Sequence, residues 1–117
     1  MFHALAKCCA DELFNRNKRG QPGWVRIYRA LNHRQAEQAC RGEDIRSFCV
    51  AIRGFASRFI DLQDQRHQAD YNPLATFYKS DVQRLIVDVG AVLHEFERCD
   101  RLERRAFSTF VLFRARN

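Results

Sequence analysis

The stretch IRSFCVAIRGFASRFIDL (residues 45–62) carries the strongest periodic signal in the chain. Within it Ile45, Phe48, Ile52, Phe55, Phe59 and Leu62 step by 3, 4, 3, 4 and 3. That spacing places all six on one face of an α-helix, as a seam that packs against neighbouring helices. A half-buried strand would alternate every second residue instead. The seam therefore predicts a long helix and asks for other helices to cover it.

Those helices are legible on either side. Upstream, Phe2, Leu5, Ala6, Cys9 and Leu13 form one apolar stripe. A second opens at Pro22, a residue suited to the first turn of a helix, and continues through Trp24, Ile27, Tyr28 and Leu31. Downstream, Ser80-Asp81-Val82-Gln83 reads as a capping box ahead of Val82, Leu85, Ile86, Val89, Leu93 and Phe96. A last segment starts at Asp100, with Glu103 three residues on, and carries Leu102, Ala106, Phe107, Phe110, Val111 and Phe113. The run from Ser108 to Phe113 also suits a strand. A lone strand would have no partner, so it reads as helix. Breaks fall at residues 18–23, 41–43, 71–73 and 99–100, where Gly, Pro or Asp interrupts the period. The expected fold is all-α: a bundle of four or five helices joined by short loops, in one domain spanning residues 1–117.

Composition agrees. The chain has 117 residues, 46% hydrophobic and 29% charged, with 2 Pro and 5 Gly. These values exclude a collagen-like or largely disordered chain and disfavour a turn-rich β-sandwich. No window approaches the roughly 20 apolar residues of a membrane span. The N-terminal residues do not form a secretory signal, and the expectation is a soluble, cytoplasmic protein with no membrane partner. Cysteines stand at 8, 9, 40, 49 and 99. Their odd count and spacing give neither a disulfide framework nor a zinc site, and the four scattered histidines add none. No metal or cofactor is expected. Cys49, on the apolar stripe, reads as a small core residue.

The net charge is +6 and unevenly spread. Residues 15–60 carry ten Arg or Lys against three Asp or Glu, whereas residues 61–97 carry three against seven. Arginine's planar fork suits phosphate and carboxylate. A basic face including Arg26, Arg29, Arg34, Arg46 and Arg53 fits contact with RNA phosphates. A solvated mixed surface explains the same charges without a ligand. Trp24 reads as a core anchor, His33 as solvated surface beside Arg34, and His94 as an exposed helical residue.

One more step along the seam after Leu62 reaches Arg66. A charged residue on the core-facing stripe calls for a partner, and Asp70 follows at i+4. Arg66, His67, Asp70 and Tyr71 form a compact polar constellation where the apolar seam should have continued. As a functional site, Arg66 binds phosphate, Asp70 orients it, and His67 and Tyr71 are titratable neighbours and candidate catalytic groups. As a structural device, the cluster ends the helix and sets the Asn72-Pro73 turn.

Three segments resemble the HEPN domain family of small prokaryotic helical bundles. Met1 to Ala6 is similar to that family's Phe-His-containing helix. Arg66 to Tyr71 is similar to its motif of an Arg, a polar residue and often Ala-Asp-Tyr. Ser80 to Phe96 is similar to the long helix beyond. The resemblance implies an up-and-down four-helix bundle that dimerises, associated with RNA or nucleotides. In ribonuclease members, an Arg-x(4–6)-His motif meets its copy at the dimer interface and cleaves RNA without metal. Carried onto this chain, Arg66 is the motif Arg and His67 its polar neighbour. The motif His would fall at Tyr71, Asn72 or Pro73, so it is absent here. Three functions follow. The leading one is a homodimeric RNA- or nucleotide-binding module. The second is a ribonuclease toxin using His67 or Tyr71, paired with a nucleotidyltransferase antitoxin for which Tyr71 is a modification site. The third is a purely structural interaction module. The family bundle also has a helix ahead of the Phe-His segment, so this bundle is expected to have its first helix missing, shortened or encoded upstream.

Overall fold

A computed structural model describes residues 1–114, which hold six α-helices and no strand. The helices are α1 (Phe2–Ala10), α2 (Pro22–Ala30), α3 (His33–Arg41), α4 (Val50–Tyr71), α5 (Lys79–Arg98) and α6 (Arg101–Leu112). After α1 the chain makes one π-helical turn over Asp11–Asn15 and a 3-10 turn over Arg16–Lys18. It then bends at Gly20, whose φ of 82° is a left-handed conformation open to glycine at no steric cost. Pro22 opens α2, as its fixed φ favours.

The core is built where α1, α3, α4 and α6 converge. Leu5, Ala6 and Cys9 of α1, Ala36 and Cys40 of α3, Ile52, Phe55 and Phe59 of α4, and Phe107 and Val111 of α6 are all buried in it. From α5 only Phe96 is buried. The centre is aromatic. Phe55 stacks on Phe96 with ring centroids 4.4 Å apart, and Phe107 meets both edge-on at 6.0 and 6.1 Å. Such offset and edge-to-face pairs add to the apolar burial.

Four local expectations change. First, α3 is a helix that the apolar period did not show. Its nine residues contain only Ala36, Ala39 and Cys40 as apolar side chains, and these small groups let α3 approach α4 and α6 closely. Second, Ile45 and Phe48 pack on the core from outside any α-helix. Glu43–Ser47 is a 3-10 turn, Phe48 is extended, and α4 begins at Val50. Cys49 is the N-cap of α4 and half-buried, not interior to a helix. Third, α5 starts at Lys79 with Tyr78 as its cap, so Ser80 lies inside the first turn and the capping box does not form. Asp100, by contrast, caps α6 as expected, its carboxylate accepting from the Leu102 amide at 3.1 Å. Fourth, Leu13 falls in the π turn, half-buried, and Phe113 is exposed beyond the end of α6.

The long antiparallel pair α4–α5 outruns the rest of the molecule. Toward its tip no described residue covers it. Tyr71, Leu74, Tyr78 and Ile86 are all at least 65% exposed.

Candidate functional site

Arg66 sits on the projecting part of α4, two turns past the last buried residue of the seam, Phe59. Leu62 is half-buried, and everything from Asp64 to the end of the helix is exposed. The Arg66 side chain is 70% exposed and meets Asp70 at 3.9 Å, an ion pair too long for a good hydrogen bond. The expectation of a core-facing Arg66 is thus corrected: the periodicity continues, but the core it pointed toward ends at Phe59. His67 and Tyr71 lie one turn apart with ring centroids 4.7 Å apart. Glu37, Gln63 and Asp64 join Arg66, His67, Asp70 and Tyr71 around an open hollow of about 430 Å³. Among the described residues no hydrogen bond orients the His67 imidazole or the Tyr71 hydroxyl. The turn that follows is held by its own side chains: Asn72 donates to Gln68 at 2.9 Å and accepts from the Leu74 amide at 3.0 Å.

Arg66 also borders a second hollow, of about 340 Å³, on the face of α4 toward α1 and α3. Here Phe2, His3, His33 and Leu62 are its neighbours. His33 is exposed, yet its ring stacks on Phe2 at a centroid distance of 3.6 Å and an angle of 11°. It is therefore not simply solvated surface. Partial burial under Phe2 lowers the His33 pKa below its ordinary value, and the positive charges of Arg66 and His3 lower it further against an opposing pull from Glu37. A phosphate bound beside Arg66 would offset the guanidinium's repulsion of a protonated His33, so anion binding and His33 protonation favour each other. His3 is oriented by a 2.8 Å hydrogen bond between its Nδ1 and the Tyr28 hydroxyl, and Tyr28 stacks on Trp24 at 5.2 Å. Arg41 ties two residues of the first hollow together, bonding Glu37 at 3.1 Å and Asp64 at 2.5 Å.

A third polar group is buried, and the charge pattern gave no sign of it. Asp11 and Glu12, in the π turn, are 5% and 7% exposed. Asp11 accepts from Arg19 Nε at 3.0 Å and Nη2 at 2.7 Å and from the Trp24 indole at 3.0 Å. Trp24 is thus half-buried and anchored by its nitrogen as well as by its rings. Burial acts to raise the Asp11 pKa, but the Arg19 and Trp24 hydrogen bonds outweigh it and hold the carboxyl below its usual range. Glu12 pairs with Arg101 at 3.1 Å and Arg104 at 3.5 Å. Both carboxylates are fully partnered, and the network ties the π turn to α2 and α6. It reads as architecture: among the described residues no buried polar side-chain atom lacks a hydrogen-bond partner.

The structure therefore keeps Arg66, His67, Asp70 and Tyr71 together on one exposed helix end, and adds His33, His3 and Phe2 to Arg66. His33 lies 31 residues from Phe2 in the chain, so no local pattern could announce their stacking. The fold defines an all-helical protein, and no described helix is long and apolar enough to cross a membrane. No protein-family model, curated protein or solved structure matches the chain.

Proposed function

We propose that the protein is a HEPN-like helical module that binds the phosphates of RNA or a nucleotide and acts as a homodimer. The observation that carries this reading is the Arg66 guanidinium, exposed and only loosely paired, bordering the same hollow as His33 and His3. Most of its donors are open to a phosphate, which accepts a bidentate pair. Protonation of His33 on phosphate binding would add a second charge-assisted contact. The exposed Arg26, Arg29 and Arg34 on α2 and α3 supply further sequence-independent attraction. The uncovered tip of the α4–α5 pair supports self-association, since exposed apolar surface of this kind marks interaction sites. The HEPN-like element of the proposal rests on Arg66 standing near the end of a long helix that turns directly into a second one.

Binding is favoured over catalysis because His67 and Tyr71 are exposed and unoriented, whereas a general base must be held at hydrogen-bonding distance from its proton. The test is fluorescence anisotropy with a labelled single-stranded RNA between low and moderate salt, without metal. Binding that weakens steeply with salt, and at least tenfold on Arg66→Ala with unchanged helicity, is expected. Absence of binding at low salt, or equal binding by Arg66→Ala, refutes the phosphate site. Cleavage of the same RNA, lost on His67→Ala or Tyr71→Phe, would move the protein to the ribonuclease-toxin reading, with a nucleotidyltransferase that modifies Tyr71 as its partner. Sedimentation of the wild type against Ile86→Asp reads the homodimer separately.

A further inference from the structure

The Phe55–Phe96 contact at 4.4 Å sets the register of the antiparallel pair α4–α5. Toward the core end, α4 begins at its N-cap Cys49 and α5 ends at its C-cap Cys99. From the register pair, Cys49 is six residues back along one helix and Cys99 three residues on along the other, so the two caps converge at the same end. Both thiols are free, half-buried and packed against the core cluster. The two side chains are close enough for Cys49 to perturb Cys99: burial raises the Cys99 pKa to about 11, and the neighbouring Cys49 adds to the rise. Cys9 and Cys40 are buried; Cys8 is half-buried and also acts on Cys99, but its sulfur faces the Ser108 hydroxyl at 3.7 Å, whereas Cys49 is the largest charged-group influence on Cys99.

We propose that Cys49 and Cys99 form a redox-modification site, a dithiol that low-molecular-weight disulfides close into a single bond across the core end of the α4–α5 pair. The step balances as two thiol–disulfide exchanges. The Cys49 thiolate attacks one sulfur of the small disulfide, forming a mixed disulfide and releasing one small thiolate. The Cys99 sulfur then attacks the Cys49 sulfur, its proton passing to the second departing thiolate. The protein is oxidised by two electrons and one small disulfide is reduced to two thiols. Burial makes Cys99 the slower thiol to attack a small disulfide, so Cys49 acts as the first nucleophile. Reversible dithiols of this kind are the form in which disulfides occur in reducing compartments. The product joins the start of one long helix to the end of the next, clamping the pair that carries Arg66.

The experiment treats the folded, reduced protein with oxidised glutathione, alkylates the remaining thiols, and maps the cysteines by mass spectrometry. The expected product lacks two hydrogens, carries no glutathione, and yields a Cys49–Cys99 cross-linked peptide that dithiothreitol reverses. Cys99→Ser should stop the reaction at a glutathione adduct on Cys49. Cys49→Ser, which puts a favourable N-cap residue at the same place and so keeps the helix, should abolish closure. A cross-link between Cys8 and Cys99, or closure only in denaturant, overturns the proposal. So does a stable double glutathione adduct in the wild type. Circular dichroism before and after oxidation verifies that the fold is intact.

Discussion

Asp11→Asn isolates the buried carboxylate that holds the π turn. In the wild type three donors converge on Asp11, two from Arg19 and one from Trp24, at 2.7 to 3.0 Å. Asparagine has nearly the same shape but no charge, and it turns an N–H group toward at least one of those donors. Hydrogen bonds to charged groups contribute about 1.5–3 kcal/mol each. Arg19 is 44% exposed and recovers part of its loss by rehydration. The expected cost is therefore about 2–3 kcal/mol at neutral pH, measured as the change in urea midpoint by far-ultraviolet circular dichroism. Linkage supplies a second, sharper readout. The folded Asp11 pKa lies below the unfolded value of 3.8, so its contribution is fully present above that value. It is lost as pH falls from there through the folded pKa. The gap between wild type and Asp11→Asn should be constant from pH 7 to about 5 and shrink below about 4. A gap under about 0.5 kcal/mol at pH 7 would refute the reasoning, because that is the range of surface substitutions. A gap that widens on acidification would refute it equally.

Phe55→Ala should cost about 3–5 kcal/mol in the same assay, because Phe55 is fully buried among Phe59, Phe96 and Phe107; a loss below about 1 kcal/mol would mean the aromatic centre is not packed as described. Asp100→Ala should lose about 1 kcal/mol while Ser80→Ala changes stability by under about 0.5 kcal/mol, since only Asp100 caps a helix; equal losses would restore a cap at Ser80. In an NMR titration His33 should ionise below its ordinary 6.5, and Arg66→Gln should move that midpoint upward; an unmoved midpoint would separate the two residues. Since the folded value is depressed, His33 contributes stability above pH 6.5 that declines as pH falls, and phosphate binding should raise its midpoint.

The candidate site was half legible. Arg66, His67, Asp70 and Tyr71 stood out because a polar cluster interrupted an apolar period, and they do lie together on α4. Their exposure could not be read, because periodicity gives the direction of a side chain and not the length of its neighbours. The seam pointed Arg66 at a core that α1, α3 and α6 do not extend far enough to form there. His33 and Phe2 form their stack through tertiary folding alone. Nothing in the sequence pattern singles out Asp11 and Glu12, and the approach of Arg19, Trp24, Arg101 and Arg104 makes their burial tolerable.

By itself the sequence determined the all-helical class, the buried face of α4, the Pro22 and Asp100 starts, and the main breaks. Each is a local property: side-chain spacing along 3.6 residues per turn, or a backbone group satisfied by a residue nearby. The tertiary structure alone decided that six polar residues with three small apolar ones become α3, where close approach to α4 and α6 stands in for intrinsic apolar signal. It also decided that the first turn of the seam is extended chain at Phe48, that α4 and α5 project beyond the core, and that Cys49 and Cys99 cap converging helix ends. All of these depend on which elements meet. That is set by the summed burial of the whole chain and leaves no trace in any short window of it.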